Sequence, residues 1–364
     1  MIPEIKNFLL INWKKIVPDY PVPSDISFLG IPGAGEGGTV TFLLFIDSKN
    51  YPLFAIKVYR DNYFPNRAKT EAVILKRLES IPIIASNVPR LIYKSLFGKN
   101  RILIQSILDG QAMTITIGKY NLPPSKIVKH HFELVTNWLI ELGQQTRHYN
   151  LNENYFYSII NNAKRIFKFS EKEQFFLIEI ENNLKNIVSY GSVIEHGDFC
   201  RQNILLMDDI NNPKINIIDW SDSKIDGIPI SDLLIFLTTY LLKLRKKTGV
   251  AGLIETFELT FFQSNPFSTN VWKAINNYIK NFKILKSDLP FLLGVIFLNQ
   301  ACYEYSKLKY ASLQGTLPGF TLSLVESEND SVEDAIKRIP WYYFFQSLVK
   351  QYNKDFFFSK NKNA

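Results

Sequence analysis

Hydrophobic periodicity changes once along this 364-residue chain, at Asp109-Gly110, and that change limits the folds open to it. Before it, β-branched and aromatic runs at 26–29, 40–46, 53–59, 90–95 and 101–107 read as strands, with hairpin-turn composition at 47–50. A single helix interrupts them at about 66–79, and its apolar stripe is Ile74, Leu75 and Leu78, with Glu71 in line. After Gly110 the apolar period becomes 3.6. Helices are expected at 127–146, 171–187, 231–244, 252–262, 271–282, 290–310 and 331–350, broken by short strands at 204–207 and 215–218. A helix over 6–17 and a loop punctuated by Pro18, Pro21 and Pro23 precede the first strand. The expected class is α+β: an N-terminal arm (1–25), a small β-rich lobe (26–108) and a larger, mainly helical lobe (109–364).

Several function classes drop out on composition. The most apolar stretches, 233–242 and 289–298, are far shorter than the roughly 20 residues a bilayer demands, so no membrane role is expected. The first residues lack the basic start and apolar run of a signal peptide, and two cysteines build no disulfide framework, so a reducing cytoplasm is expected. Net charge is +8, of which +5 lies in the first 110 residues. Lys and Arg are dispersed, with one basic run at Arg245-Lys246-Lys247, so nucleic acid is not an expected partner.

Three clusters carry chemistry. Gly33-Ala34-Gly35-Glu36-Gly37-Gly38-Thr39-Val40 fits G-x-G-x-x-G-x-V and runs on into strand instead of opening a helix. That context suits a hairpin flap whose bare backbone N–H groups approach phosphates. In Phe54-Ala55-Ile56-Lys57, a lysine alternates with apolar residues on an expected buried strand. A buried ammonium needs an anionic partner, and Glu71, a carboxylate on an apolar helix face, needs a cation. The third cluster is His196-Gly197-Asp198-Phe199-Cys200-Arg201-Gln202-Asn203, followed by Ile217-Ile218-Asp219-Trp220.

The H-G-D-x-x-x-x-N loop and the later Asp resemble the aminoglycoside phosphotransferase and choline kinase-like superfamily of small-molecule kinases, and the glycine cluster and the Lys57 strand resemble those of kinases. Gly227-Ile228-Pro229-Ile230-Ser231-Asp232-Leu233 resembles that family's G-x-P-x-x-D-L segment. The resemblance runs in order from about Gly30 to Leu233 and implies a two-lobed protein kinase-like fold. It implies Asp198 as the catalytic base and Asn203 and Asp219 as Mg²⁺ ligands. ATP would be held by Gly33, Gly35, Gly38, Val40, Lys57 and Glu71, with Gln105 and Ile107 at the end of the last strand of the β-rich lobe. Asp232 would anchor the catalytic loop through its backbone, and His196 would hold that loop by hydrogen bonds.

The sequence departs from the pattern at three positions. Cys200 reads as a packed thiol, and Arg201 either reaches a phosphate or turns outward to an acidic neighbour. Ser221 stands where relatives carry an acid, so Asp222 substitutes for it or that contact is absent. The phosphate acceptor is expected to be the hydroxyl of a small molecule, a sugar or another polar alcohol ahead of an amino alcohol or an aminoglycoside. The alternative is a catalytically silent pseudokinase, against which Lys57, Asp198, Asn203 and Asp219 all count. A protein kinase fits less well, since H-G-D and Asp-Trp replace H-R-D and D-F-G.

Overall fold

The computed structural model describes residues 2–31, 39–47, 49–60, 66–120, 124–207, 214–242, 249–313 and 338–352, so Gly33, Gly35 and Gly38 lie outside the described residues. The chain divides into two compact units: residues 1–110 with 216–223, and residues 111–215 with the described residues from 224 onward. The Asp219 segment therefore clusters with the β-rich unit, although it lies in the middle of the helical sequence.

The first unit contains helix α1 (Ile2–Ile16), strands β1 (Ile26–Ile31), β2 (Thr39–Ile46) and β3 (Phe54–Tyr59), helices α2 (Arg67–Glu79) and α3 (Pro82–Ala85), and strands β4 (Leu91–Phe97) and β5 (Asn100–Ser106). The strands form one antiparallel sheet in the order β1-β2-β3-β5-β4. Because side chains alternate along a strand, the two faces of this sheet bury different residues. Phe54, Ile56 and Val58 of β3 join Ile102 and Ile104 of β5 in a core with Ile5, Leu9, Trp13 and Ile16 of α1. The N-terminal arm is thus a packed helix of this unit. The opposite register sends Tyr59 and Leu103 into a second cluster with Ala68 and Ala72 of α2. Lys57 has the parity of Tyr59 and so belongs to the α2 face.

The second unit opens with β6 (Gln111–Ala112), α4 (Met113–Gly118), α5 (Ser125–Thr146), α6 (Glu153–Ile166), α7 (Glu171–Asn182) and α8 (Leu184–Ser189). Strands β7 (Val193–Glu195), β8 (Ile204–Met207), β9 (Lys214–Ile217) and β10 (Lys224–Gly227) follow, with β9 running across the boundary at 215/216. The remaining helices are α9 (Ser231–Tyr240), α10 (Gly249–Phe261), α11 (Pro266–Phe282), α12 (Leu289–Leu313) and α13 (Pro340–Tyr352). A β-rich first unit and a mainly helical second one make this an α+β protein, as the change of period implies. The helix expected over 171–187 is two helices broken at Asn183, whose side chain donates to the Glu179 carbonyl. Helix α6 is an addition to the expected elements; Asn152 caps it by accepting from the Tyr155 N–H. Of the helix expected over 331–350, residues 331–337 lie outside the described residues, and α13 starts at Pro340.

Helix α9 and the first half of α12 bury nearly every side chain they have, whereas α5 and α13 each bury one broad apolar face. No described helix is long and apolar enough to cross a membrane. On α12, Glu304 is 6% exposed, and neither of its carboxyl oxygens meets a hydrogen-bond donor among the described residues. Burial pushes this carboxyl up to about 8, against the opposing charge of Lys307. The unfolded chain loses that proton near 4.5, the folded chain only near 8, so this group lowers stability progressively as pH rises between those values. Glu304→Gln is expected to melt well above the wild type at pH 8 and close to it at pH 5. A thermal-melt difference of the same size at both pH values would contradict this assignment.

Candidate active site

The first unit builds its polar cluster around Lys57. The lysine is 7% exposed, and its Nζ donates to Glu71 Oε1 at 2.8 Å and Oε2 at 3.1 Å, and to Asp219 Oδ1 at 2.7 Å. Tyr59, two residues along the same strand face, also donates its hydroxyl to Glu71 Oε2. Burial acts to lower the lysine pKa, but the carboxylates of Asp219 and Glu71 outweigh it and hold Lys57 above its ordinary value. Burial likewise pushes the Glu71 carboxyl upward, Lys57 pulls it back, and the Asp219 charge adds to the push. With an ammonium 2.8 Å away and a phenol donating as well, Glu71 is held as the carboxylate. Gln105, buried on β5, lies beside Glu71. Val40 is half-buried on β2 opposite Val58, and Ile107 follows the end of β5.

Asp219 reaches Lys57 because its segment is tied to this unit by its own backbone. The Ile217 N–H donates to the Asn87 carbonyl, and the Asn216 side-chain amide donates to the Asp109 carbonyl. Trp220, fully buried, donates its indole N–H to the Ile217 carbonyl. Asp219 itself has φ 67° and ψ 64°, a left-handed conformation that Asp tolerates better than most residues. Its side chain is 40% exposed, against 8% for Lys57 and 0% for Glu71, so Asp219 is the open edge of the cluster.

The second unit holds the loop between β7 and β8. Asn203 donates its side-chain amide to the Asp198 carbonyl at 2.9 Å and to Asp198 Oδ2 at 3.2 Å, so these two predicted residues are brought together. His196 is fully buried and accepts the Asp198 N–H at Nδ1, which is a holding role and leaves no proton to transfer at that nitrogen. Asp232 accepts the His196 N–H at 2.7 Å and the Gly197 N–H at 3.0 Å, one on each oxygen. Burial pushes Asp232 up to about 8 with Glu195 adding to it, while the two backbone donors pull the other way. Glu195 is itself buried and accepts from the Ile228 N–H, the Ser231 hydroxyl and Lys224 Nζ. The intervening Ile230 has φ 73°, a strained conformation for a β-branched residue, costing about 1–3 kcal/mol.

Arg201 takes neither course expected of it. It is buried, and Nη1 donates at 2.8 Å to the carbonyl of Tyr240, the last residue of α9. That carbonyl is among those a helix C-terminus leaves without an intrahelical partner, so it is a natural acceptor for a buried guanidinium. Cys200 is half-buried, with its Sγ 3.9 Å from Gln202 Oε1. Sequence reasoning misses Tyr59, Glu195 and Lys224. Tyr59 is within its reach, since it shares the strand parity of Lys57. Glu195 also leaves a signal, as an acid in an otherwise apolar run before His196, but nothing in the sequence points to its partner at 224.

Among the described residues, no group of three or more His, Cys, Asp or Glu forms a ready-made metal cage. Mg²⁺ does not require one, since it takes one or two carboxylate or amide oxygens and completes its shell with water and substrate phosphates. Asp219 offers an exposed carboxylate for such a role. Asn203, with its amide nitrogen committed to Asp198, keeps its amide oxygen for a cation.

No family model and no curated protein matches the sequence. Among solved structures, the chain is similar to aminoglycoside phosphotransferase APH(3'')-Id from Streptomyces rimosus at 13% identity and a TM-score of 0.47, covering 81% of this chain and 98% of that one. The same enzyme in complex with ADP and streptomycin aligns at 14% identity and a TM-score of 0.49, covering 82% and 99%. ADP and streptomycin are ligands of that enzyme. The β-rich and mainly helical parts expected from the sequence are both observed: a five-stranded antiparallel sheet with a buried Lys–Glu pair to its helix, and a helical unit carrying the H-G-D loop.

Lys57→Met would leave the Glu71 carboxylate buried beside Asp219 with no cation. A loss of about 3–5 kcal/mol in urea unfolding is expected, with Lys57→Met/Glu71→Leu recovering much of it. A single-variant loss below about 1 kcal/mol would show that the pair is not a buried ionised one.

Proposed function

We propose that this chain is an ATP-dependent small-molecule kinase that moves the γ-phosphate of MgATP to an alcohol hydroxyl. The observation that supports the reading most directly is the buried Lys57, shared between Glu71 and the more exposed Asp219. A lysine clamped in this way is a fixed positive point for phosphate oxygens, and the clamp costs nothing to assemble when the nucleotide arrives. Lys57 and Glu71, with Gly33, Gly35, Gly38, Val40, Gln105 and Ile107, are assigned to the nucleotide. Asp219 and Asn203 are each assigned to Mg²⁺, which would neutralise charge on the transferring phosphate.

Asp198 is assigned to the acceptor. Its carboxylate orients the attacking hydroxyl and takes its proton as the new P–O bond forms, while the β,γ-bridging P–O bond breaks and ADP leaves with the electron pair. Asn203 steadies Asp198 through Oδ2, and Asp232 pins the backbone at His196 and Gly197. The loose transition state asks for alignment more than for a strong base, which fits a base whose setting is built from hydrogen bonds. The preferred acceptor is a sugar or another polar alcohol. A polycationic aminoglycoside would call for a strongly acidic cleft, whereas the sequence carries a +3 excess beyond Gly110, which argues against a cationic acceptor. Two cysteines that are not joined in a disulfide accord with a cytoplasmic setting.

A screen of ATP consumption against pooled sugars, polyols, amino alcohols, nucleosides and aminoglycosides is expected to show Mg²⁺-dependent turnover with one pool. Asp198→Ala should lower that turnover by about 10²–10⁴-fold with the thermal shift by MgATP retained. No shift with MgATP and no turnover in any pool would refute the kinase reading. Retained binding without turnover would favour the silent alternative.

A further inference from the structure

Helix α2 presents two charged residues one turn apart, Arg67 and Glu71, and i, i+4 side chains lie on the same helix face. Glu71 reaches Asp219 through Lys57. Arg67 approaches the same segment from its other end: Nη2 donates to Asp222 Oδ2 at 2.7 Å and to Ser221 Oγ at 2.8 Å. Ser221 Oγ in turn donates to Asp219 Oδ1 at 3.1 Å. The polar contacts therefore close a ring, Arg67–Ser221–Asp219–Lys57–Glu71, that begins and ends on one turn of α2.

Two features make this ring more than a surface ion pair. The side chains of Arg67 and Asp222 are only 18% and 7% exposed, so each needs the other far more than a solvated pair would. A serine hydroxyl also has a single proton. With the guanidinium donating into Oγ, that proton is left to point at Asp219, so Arg67 sets the direction of the Ser221 hydroxyl. Asp222 supplies an acid in this turn, and that acid engages Arg67.

We propose that Arg67 and Asp222 are positioning residues that hold the left-handed turn at Asp219 and so fix how its carboxylate is presented to the divalent cation of a bound nucleotide. This rests on the kinase reading above. Its consequence is that docking of α2 and presentation of the metal ligand are a single event, because the same helix turn supplies both ends of the ring. Groups that hold a metal ligand in place typically change metal affinity by about 10–100-fold when removed.

The test uses the full chain with Arg67→Met, which keeps the buried stem, and Asp222→Asn. Mg²⁺ is titrated at saturating ATP, and hydrogen exchange is followed over residues 217–223. Each variant is expected to raise the Mg²⁺ concentration at half-maximal turnover by about tenfold while the rate at saturating Mg²⁺ changes much less. The double variant should cost little more than either single one, since both remove the same contact. Faster exchange over 217–223, with the α1 amides unchanged, is expected in both. A wild-type Mg²⁺ profile in Arg67→Met, with or without faster exchange, overturns the proposal. A wild-type chain that neither binds nor consumes MgATP overturns the kinase reading and the metal half of this proposal with it. In that case the exchange measurement alone decides whether the Arg67 clamp holds the turn, and unchanged exchange overturns the clamp as well.

Discussion

One ammonium group, Lys57 Nζ, lies within 3.1 Å of three carboxylate oxygens, and the polar architecture of the first unit is organised around it. A lysine on the interior face of a sheet is tolerable only if it is matched by charge and by hydrogen bonds, because desolvation penalises it heavily. That requirement fixes the rotation of α2, which must turn Glu71 inward between Ala68, Ala72 and Leu75. It also fixes the return of the chain at 216–223, which must bring Asp219 back to a strand 162 residues earlier. Ala68 and Ala72 leave the helix close enough to the sheet for a carboxylate to reach.

In the second unit the same logic works through backbone donors. The segment His196-Gly197 would leave two buried N–H groups unpaired, and Asp232 satisfies both. Asp232 can do so only if α9 begins where it does, and Ile230 enters that helix at φ 73°. The strain is held by the burial of α9 and by the Ser231 hydroxyl on Glu195. Carboxylates thus organise both units, one set around a cation and one around peptide N–H groups.

Much of this is legible in the amino-acid sequence. The parity of β3 puts Lys57 opposite the apolar core, and the 3.6 period of α2 puts Glu71 in the apolar stripe, so the pair follows from two local patterns. The H-G-D loop, Asn203 and Asp219 stand out because their spacing is unusual, and Asp232 because its segment resembles a known one. Arg201 is where the sequence misleads. Its chemistry suggests a phosphate or an acid, whereas its partner is a carbonyl exposed by the end of α9, and no local pattern announces where a helix end will lie in space. Helix α6 goes unread although its signals are local, an Asn152 cap and an apolar stripe at Phe156, Ile159, Ile160 and Ala163, while Asn183 ends a helix that periodicity alone would continue.

The sequence by itself determined what is local: strand and helix periods, the face on which each charged residue falls, and the spacing of the H-G-D loop, Asn203 and Asp219. Period and spacing are enough for that, because side-chain direction along a strand or helix is set by backbone geometry. Only the tertiary structure decided which distant charges meet. The return of Asp219 to Lys57, the closing of the Arg67–Asp222 contact and the seating of Glu195 on Lys224 span 162, 155 and 29 residues. Such pairings depend on how whole elements pack and on which buried charge must be neutralised there, and that is a property of the assembled core.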